Sequence, residues 1–346
     1  MKKISSLVAV SVSLLISACG GGGASNSSPT STVPPVTTPV VVPPTVTPAK
    51  LQTVVPAPVY SNTQNIEVFN AVNDFRKSQG LGLLKQSVNL DAAVEAHNKY
   101  GDLNQYYGHT EDSGKPGFTG ITPTDRALFA NYGAFTVGEF GTTLGYLNRQ
   151  KGAQELFYTL INSVYHRAGL MTQTATDIGI SVLEKQNTAG NGQTYYNSTL
   201  YINYGLKTTQ NNASDFMTVY PRDNQTDVIL YMNPEAPNPV PELPATIEAM
   251  SKGTSSPISL MISESLNLKV ESYKVINAST GQEFPVRLLT NDSDKLILPS
   301  MMFLIGKQPF SPNTKYLVEF TGTSNGVRFI KNWSFTTGTK TLLDVF

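Results

Sequence analysis

Prolines recur between Pro29 and Pro58 and are interspersed with valine and threonine, as in residues 37–44. Proline has no amide hydrogen to donate and fixes its own φ angle, so such a run builds neither a helix interior nor a central strand. It favours extended polyproline II, which rises about 3 Å per residue. We therefore predict a semi-rigid tether over residues 19–60, with the folded part of the chain after it.

A short apolar segment precedes this tether. Two lysines lead into the apolar residues 7–16, and small residues follow up to Cys19. This arrangement is typical of a secretory signal peptide, here residues 1–18, and it is too short for a membrane-spanning helix. Residues 15–19, Leu-Ile-Ser-Ala-Cys, resemble the lipobox of bacterial lipoproteins, which implies acylation of Cys19. An ordinary signal peptide that happens to end near a cysteine is the alternative.

The composition excludes several kinds of function. The chain has 346 residues with 25 basic and 25 acidic side chains, so no net charge would hold it to nucleic acid. Cys19 is the single cysteine, which excludes internal disulfides, thiolate zinc sites and iron–sulfur clusters. Any imidazole chemistry depends on three histidines, His97, His109 and His166.

Hydrophobic periodicity predicts helices first and a β-hairpin after them. The predicted helices begin after Asn62, after Asn89 and near Ala153, the third with an apolar stripe through Val164. Apolar residues then alternate in residues 178–182 and 200–204, on either side of a turn-rich stretch. This order predicts an α+β domain over residues 61–207, with helices packed on a sheet.

Short motifs in this domain resemble those of bacterial CAP domains, the family of cysteine-rich secretory proteins, antigen 5 and pathogenesis-related proteins. The matching segments are Asn73-Asp74-Phe75-Arg76, Gly108-His109, Thr122-Pro123-Thr124-Asp125-Arg126, Gly138-Glu139, His166-Arg167 and Ile178-Gly179-Ile180. The resemblance implies an α–β–α sandwich with a central cleft, and it places His109, Glu139 and His166 in that cleft.

The chain departs from the family pattern at several positions. Phe140 stands where the Gly-Glu-Asn motif has asparagine, and Leu160 stands where the histidine-containing helix has tryptophan. Eukaryotic members carry a second cavity glutamate five residues after the first histidine, and here Gly114 occupies that position. Glu111 and Asp112 are the nearby carboxylates that are candidates to replace it.

His109, Glu139 and His166 are the candidate catalytic or binding residues. A glutamate on an apolar strand, such as Glu139, needs a partner to be buried. The three side chains suit a divalent metal such as zinc, with His109 and His166 as ligands, and equally general-base catalysis with Glu139 orienting an imidazole. A hydrogen-bonded cluster without turnover is the third alternative. The sequence has neither a Gly-x-Ser-x-Gly nor a His-Glu-x-x-His motif, so known hydrolase templates give no support.

Other polar and aromatic residues of this domain are predicted to have structural roles. His97 lies on the apolar side of the second predicted helix and is expected in or near the core. Arg126 and Arg167 are expected to bind carboxylates or backbone carbonyls rather than a ligand. Several aromatic residues either line an apolar groove or belong to the core. They are Tyr106, Tyr107, Phe118, Phe129 and Tyr132.

Residues 208–338 contain short strand-like runs separated by turns, which predicts an antiparallel β-sandwich. The predicted strands are 258–262, 269–276, 284–289, 296–298, 316–320 and 333–335. Residues 309–316 and 333–337 resemble the end of bacterial Ig-like domains. Residues 235–241 resemble the entry to such a domain appended to bacterial CAP proteins. Residues 339–346 are left as a C-terminal tail.

These features predict a lipoprotein anchored to a membrane through Cys19. Gly20 resembles an outer-membrane sorting signal of Gram-negative bacteria, which places the globular part on the periplasmic or outer side. The first hypothesis is a CAP cleft that binds a small apolar or cell-envelope ligand, with the Ig-like domain as spacer or adhesion platform. The second is a histidine/glutamate hydrolase, metal-dependent or not, that acts on peptides or envelope polymers. The third is an adhesion protein with a purely structural histidine cluster.

Overall fold

The computed structural model describes residues 46–133, 136–147, 152–188, 190 and 192–340. The predicted signal peptide, Cys19 and residues 19–45 of the predicted tether lie outside these residues, as does most of the C-terminal tail. The described residues belong to one contact-dense unit. Within them, no helix combines the length and the apolar character needed to cross a bilayer.

The three predicted helices are present, the third with a break, and two further short helices lie at residues 123–129 and 247–253. They are α1 (Thr63–Ser78), α2 (Val88–Asn104), α3 (Pro123–Phe129), α4 (Ala153–Ile161), α5 (Tyr165–Leu170) and α6 (Ile247–Gly253). Asn62 caps α1 by accepting a hydrogen bond from the Gln64 amide, and Gly80 follows its end with a φ of 69°. Ser87, rather than Asn89, caps α2, which therefore starts two residues earlier than expected.

The third predicted helix is divided into α4 and α5. The backbone amides of Val164, Tyr165 and His166 donate to the carboxylate of Glu235, far along the chain. A helix N-terminus has unpaired amides, and a carboxylate there satisfies them and suits the positive end of the helix dipole. The apolar stripe continues through Val164, so the local pattern alone predicts one helix where there are two.

The strands form sheets in both halves of the chain. They are β1 (Lys85–Gln86), β2 (Val137–Leu147), β3 (Asp177–Thr188), β4 (Thr194–Gly205), β5 (Met217–Tyr220), β6 (Gln225–Val228), β7 (Ile258–Ile262), β8 (Leu268–Asn277), β9 (Val286–Thr290), β10 (Met301–Gly306), β11 (Lys315–Ser324) and β12 (Val327–Thr337). In the N-terminal half the order is β1-β3-β4-β2. Strand β1 is parallel to β3, and the other neighbours are antiparallel.

This first sheet lies between two layers of helices. One face packs against α1, α4 and α5, and the other against α2 and α3. Strand β2 is at one edge of the sheet. The N-terminal half therefore has the three layers that the CAP resemblance implies.

The C-terminal half contains two further sheets with the strand orders β5-β7-β10-β9 and β6-β12-β11-β8. Their pairs are antiparallel apart from β6 with β12. The two sheets share one apolar core, which includes Leu260, Leu304, Val318 and Trp333. The strand predicted at residues 296–298 is wrong. Those residues form turns, because Ile297 donates back to the Asp294 carbonyl, and the strand follows as β10.

The sheet that contains β10 is buried on both faces, which joins the two halves of the molecule. Met302 and Leu304 face the second C-terminal sheet, whereas Met301, Phe303 and Ile305 belong to the core that α1, α4 and α5 cover. A strand buried on both faces is apolar throughout rather than alternating. The two halves therefore share a continuous hydrophobic core.

The residues just before α1 also lie against the N-terminal half. The backbone of Lys50 exchanges two hydrogen bonds with Asn211, at 2.8 and 3.0 Å. The side chain of Gln52 donates to the carbonyls of Leu83 and Thr176 at 2.8 and 2.9 Å. Residues 50–60, which their prolines assign to the tether, are thus bound to the folded unit, because the Gln52 side chain and the backbone of Lys50 and Val59 make hydrogen bonds with it.

Candidate functional site: the cleft of His109 and His166

The two candidate histidines line one cleft at the edge of the first sheet. The cleft has a volume of about 370 Å³ and runs across β2, with Tyr201 of β4 beside it. His109 lies in the loop after α2, and His166 lies in the first turn of α5. The side chain of His109 is 47% exposed and that of His166 is 18% exposed. Both rings therefore remain accessible to a ligand.

His109 is held by a buried carboxylate from β2. Its Nδ1 atom lies 3.1 Å from Oε1 of Glu139, and the Glu139 side chain is 1% exposed. A buried glutamate needs a partner, and for Glu139 this partner is Arg126. The Nη2 atom of Arg126 donates to both carboxylate oxygens at 2.8 and 2.9 Å. This arrangement compensates the cost of burying the Glu139 charge.

The sequence places Arg126 beside Glu139 through a well-defined helix start. Thr122 and Asp125 form a reciprocal capping box, and Pro123 occupies the first turn of α3. Arg126 follows in that turn and is completely buried. Its guanidinium also donates to the His109 carbonyl, with both distances 3.2 Å. Arg126 therefore fixes the backbone of His109 as well as its carboxylate partner.

His97 is buried in α2 beneath the cleft, as expected of a core histidine. Its Nδ1 lies 2.8 Å from Oε1 of Glu111, and its Nε2 lies 2.7 Å from the Gly108 carbonyl oxygen. Both ring nitrogens of His97 therefore face oxygen acceptors. The other Glu111 oxygen accepts from the backbone amide of Thr119 at 2.7 Å.

The buried residues around His109 thus form one polar network. Arg126 and His97 face the carboxylates Glu111 and Glu139. Glu111, a candidate for the missing cavity glutamate, belongs to this network and does not line the cleft. Asp112, the other candidate, is exposed and accepts from the Gly114 amide in a turn.

This network holds the chain on both sides of His109. The Gly108 carbonyl accepts hydrogen bonds from His97 and, at 3.1 Å, from the Tyr201 hydroxyl. The His109 carbonyl accepts from Arg126. Binding and catalytic side chains act at a defined geometry only when their surroundings are fixed. The network therefore fixes the backbone on both sides of the His109 ring.

The charge state of Glu139 follows from its surroundings. Burial raises the pKa of the Glu139 carboxyl, but the hydrogen bond from His109 and the positive charges of His97 and Arg126 lower it by more. The net pKa lies below the ordinary value of 4.5. Glu139 is therefore a carboxylate at neutral pH and accepts from the Nδ1–H group of His109.

His166 has a different carboxylate partner. Its Nδ1 lies 3.0 Å from Oε2 of Glu235 and 3.1 Å from the Ser163 hydroxyl. The structure pairs His109 with Glu139 and His166 with Glu235, so the three predicted residues do not share one hydrogen-bonded cluster. Motif spacing gave no signal for Glu235, which lies outside the segment that resembles CAP domains.

Phe140, which replaces the asparagine of the family motif, belongs to the core rather than to the cleft. A side chain at Gly169 of α5 would place its Cβ less than 3.0 Å from the Phe140 ring. The Phe140 ring also meets Tyr204 edge-on, with centroids 5.1 Å apart. Phe140 therefore fills the space that the missing side chain of Gly169 leaves free. It packs between the sheet and α5, the helix that carries His166.

The five aromatic candidates for groove lining have different surroundings. Tyr107 lines the cleft, and Tyr106 does not. The Tyr106 hydroxyl lies 3.1 Å from that of Thr110. Tyr132 is buried and donates to Asp177 at 2.7 Å. Phe118 and Phe129 are exposed and do not line the cleft.

The donor set of the cleft does not fit a zinc centre. A catalytic zinc site takes three protein donors and a water. The cleft offers Nε2 of His109 and Nε2 of His166, because both Nδ1 atoms face carboxylates. Glu139 is unsuited as a third ligand, because Arg126 occupies both of its oxygens. Among the described residues, no three histidine, cysteine, aspartate or glutamate side chains are grouped to hold a metal ion.

Comparisons with solved structures find similar proteins over less than half of this chain. The chain is similar to an outer surface protein from Borrelia burgdorferi, with 13% identity, coverage of 43% of this chain and 97% of that one, and a TM-score of 0.29. It is also similar to an extracellular protein containing an SCP domain from Bacillus anthracis str. Ames, with 19% identity and a TM-score of 0.32. That match covers 44% of this chain and 45% of the other. No curated protein matches the chain.

The family comparison covers the segment that carries the cleft histidines. Residues 69–204 match the sequence model of CAP, the Cysteine-rich secretory protein family. This range contains His109, Glu139 and His166, and it leaves out Glu235. Residues 69–204 of this chain are therefore a CAP domain.

Proposed function

We propose that this chain is a lipid-anchored protein of the bacterial cell envelope whose CAP cleft binds an amphipathic envelope ligand. The observation that carries the proposal is the pairing of both cleft histidines with carboxylates. Nδ1 of His109 lies 3.1 Å from Glu139, and Nδ1 of His166 lies 3.0 Å from Glu235. A carboxylate only accepts hydrogen bonds, so each Nδ1 carries the proton. In its neutral form, each ring then offers the lone pair of Nε2 to the cleft.

The rest of the lining defines the kind of ligand. Two Nε2 acceptors favour a ligand with hydroxyl or amide N–H donors. Apolar side chains line the same cleft, from both halves of the molecule. They are Leu144, Leu160, Pro234, Ala236 and Ile247. Ligand pockets of this kind combine apolar walls with a few placed polar groups. A ligand with an apolar part beside hydroxyl or amide groups is complementary to it.

The anchoring part of the proposal rests on the sequence. Residues 15–19 have the lipobox pattern, and Cys19 is the single cysteine of the chain. Acyl chains on this residue would contribute about 0.8 kcal/mol of membrane binding per buried methylene. Cys19→Ser is expected to release the chain from the membrane fraction into the soluble fraction. Unchanged membrane association of that variant would contradict the lipid anchor.

The three histidines make the binding proposal directly testable. With ¹⁵N-labelled histidine, the full chain gives signals from three rings, and buried His97 serves as the internal control. We would titrate it with soluble N-acetylated glycopeptide fragments of a bacterial cell wall and, separately, with a monoacylglycerol. Saturable shifts of the His109 and His166 signals, with His97 unchanged, are expected for one of these probes. Loss of those shifts in a His109→Gln/His166→Gln variant would complete the test. The proposal is overturned if neither probe shifts the signals of His109 and His166.

A hydrolase is the second candidate, favoured by the same two imidazole–carboxylate pairs. A histidine oriented by a carboxylate can accept a proton from an attacking water or hydroxyl group. His166→Gln separates this candidate from simple binding better than Glu139→Gln does, because loss of Glu139 also leaves Arg126 without its partner. Product released from the glycopeptide fragments by the parent chain, and not by His166→Gln, would establish turnover. Binding without product in both would leave the binding function alone.

A further inference from the structure

We propose that Glu235 is the positioning residue of His166, so that the loop between β6 and α6 of the C-terminal half completes the CAP cleft. This inference rests on the proposed ligand-binding role of that cleft. It assigns a function to a residue outside the CAP segment, which ends at residue 204. It also makes the C-terminal half a structural requirement of the cleft rather than a spacer alone.

The first support is the position of the Glu235 carboxylate. Glu235 is 6% exposed. Its Oε1 accepts from the Val164 amide at 2.5 Å and from the Tyr165 amide at 3.1 Å. Its Oε2 lies 3.0 Å from Nδ1 of His166. One side chain therefore sets both the start of α5 and the orientation of the ring that α5 carries.

The second support is that the loop between β6 and α6 is itself fixed to the α4–α5 turn. The Asn162 side chain donates to the Tyr231 carbonyl at 2.7 Å and accepts from the Ser256 hydroxyl at 2.5 Å. The Asn233 amide donates to the Asn162 carbonyl at 2.8 Å. Glu235 thus reaches His166 from a backbone that is held by hydrogen bonds on the same turn.

The third support is the hydrogen-bond direction at His166. The Ser163 hydroxyl donates to the Leu160 carbonyl at 2.8 Å, so it can only accept from His166. Glu235 also accepts. Both neighbours of Nδ1 are therefore acceptors, and the neutral ring carries its proton on Nδ1. Nε2 of His166 is then an acceptor directed away from Glu235, as Nε2 of His109 is relative to Glu139.

The cleft consequently has two matched imidazole–carboxylate pairs from different parts of the chain. Glu139 is supplied by β2, within the CAP segment. Glu235 is supplied by the loop between β6 and α6, while Gly114 occupies the position of the second family glutamate. Glu235 therefore supplies the carboxylate for His166, as Glu139 supplies the carboxylate for His109.

The tautomer of His166 tests this inference without any ligand. In the ¹⁵N-histidine spectrum of the full chain, we expect a protonated Nδ1 and an unprotonated Nε2 for His166. In Glu235→Gln, the amide group donates to Nδ1, and the ring is expected to change to the Nε2–H form. The His97 and His109 signals should stay in place, which shows that the variant is folded. Glu242→Gln is the matched control, because Glu242 is a half-exposed partner of Arg287. It should leave His166 unchanged.

Two results would overturn the role of Glu235. One is an Nε2–H tautomer of His166 in the parent chain, which needs no variant to be informative. The other is an unchanged Nδ1–H tautomer in folded Glu235→Gln, which would assign the orientation of the ring to Ser163. Amide exchange gives a second readout. The amides of Val164 to His166 should exchange roughly tenfold faster in Glu235→Gln, because their charged acceptor is lost.

Ligand titration separates this inference from the proposed function. If a cell-wall or acylglycerol probe binds the parent chain, Glu235→Gln should weaken its binding at least several-fold. If no probe binds but the tautomer changes as expected, Glu235 positions His166 and the proposed ligand class is wrong. If a probe binds equally to both chains, the binding function stands and the role of Glu235 in it is overturned.

Discussion

One guanidinium nitrogen of Arg126, Nη2, donates to both carboxylate oxygens of Glu139, at 2.8 and 2.9 Å. Both side chains are withdrawn from water. An ion pair of this kind gives little net stability relative to apolar residues, but removal of one partner leaves a buried charge uncompensated. The geometry of the cleft is therefore coupled to the stability of the CAP domain through this pair.

Arg126→Met is expected to destabilise the chain strongly. It removes the partner of Glu139 and the donors to the His109 carbonyl, and we expect a loss of about 3–5 kcal/mol in the free energy of unfolding. Urea unfolding of the full chain measures it. The matched control is Arg328→Met, since Arg328 and Glu271 form an exposed pair that contributes at most about 1 kcal/mol. Equal effects of the two substitutions would contradict a special role for the buried pair.

The low pKa of Glu139 predicts how the stability depends on pH. Because the folded-state pKa lies below 4.5, the contribution of this carboxylate is complete above pH 4.5. It is lost as the pH falls through the folded-state pKa. Glu139→Gln should therefore be much less stable than the parent at pH 7, and the difference should shrink in acid.

Free energies of unfolding at pH 7, 4.5 and 3 check this expectation. Glu248→Gln is the control, because the ion pair of Glu248 with Lys252 is fully solvated and should change the pH profile far less. A parent and a Glu139→Gln variant that differ by the same amount at all three pH values would show that Glu139 does not titrate as its surroundings require.

Local sequence patterns predicted the elements that carry the cleft. The cap at Asn62, the alternation in β3 and β4, and the need of Glu139 for a partner are each decided within a few residues. The same patterns failed where distant residues decide the outcome. The apolar stripe through Val164 predicts one helix, and Glu235, 71 residues further along, divides it in two.

The C-terminal half shows a second limit of local patterns. Leu296, Ile297 and Leu298 have the composition of a strand, yet they form turns after Asp294. Strand β10, which follows, has no alternation to mark it, because the CAP half covers one of its faces and the second C-terminal sheet covers the other. Residues 301–305 are apolar throughout, as in a strand buried on both faces, but a short apolar run of this kind also fits a buried helix segment.

His97 and His109 should respond differently to substitution by glutamine. His97 is buried with two hydrogen bonds, and His97→Gln leaves at least one charged partner unsatisfied, at a cost of about 2–3 kcal/mol. His109 is half-exposed, and His109→Gln should cost less than about 1 kcal/mol. Loss of the His109 ring should instead remove the ligand-induced shifts of the His166 signals. A larger loss of stability for His109→Gln would reverse these roles.

The close approach of Phe140 to Gly169 predicts a steric effect of a single methyl group. Gly169→Ala places a Cβ less than 3.0 Å from the Phe140 ring, and overpacking of this kind costs about 1–3 kcal/mol. Gly152→Ala is the control, because a Cβ there meets nothing within 4 Å. Thermal unfolding should separate the two variants. Phe140→Leu added to Gly169→Ala should recover part of the loss, and its failure to do so would place the strain elsewhere.

The shared core predicts that the two halves unfold together. Phe303 of β10 packs with the apolar residues under α1 and α4, so Phe303→Ala should lower the stability of both halves by about 3–5 kcal/mol. Phe129→Ala, at an exposed position, is the control for loss of a phenyl ring.

Calorimetry of the full chain should show one transition that Phe303→Ala shifts as a whole. The ¹⁵N-histidine signals report the CAP half, and Trp333 fluorescence reports the C-terminal sandwich, so their midpoints should coincide. Two separate midpoints, with only the tryptophan midpoint displaced by Phe303→Ala, would mean that the sandwich folds independently and is a spacer after all.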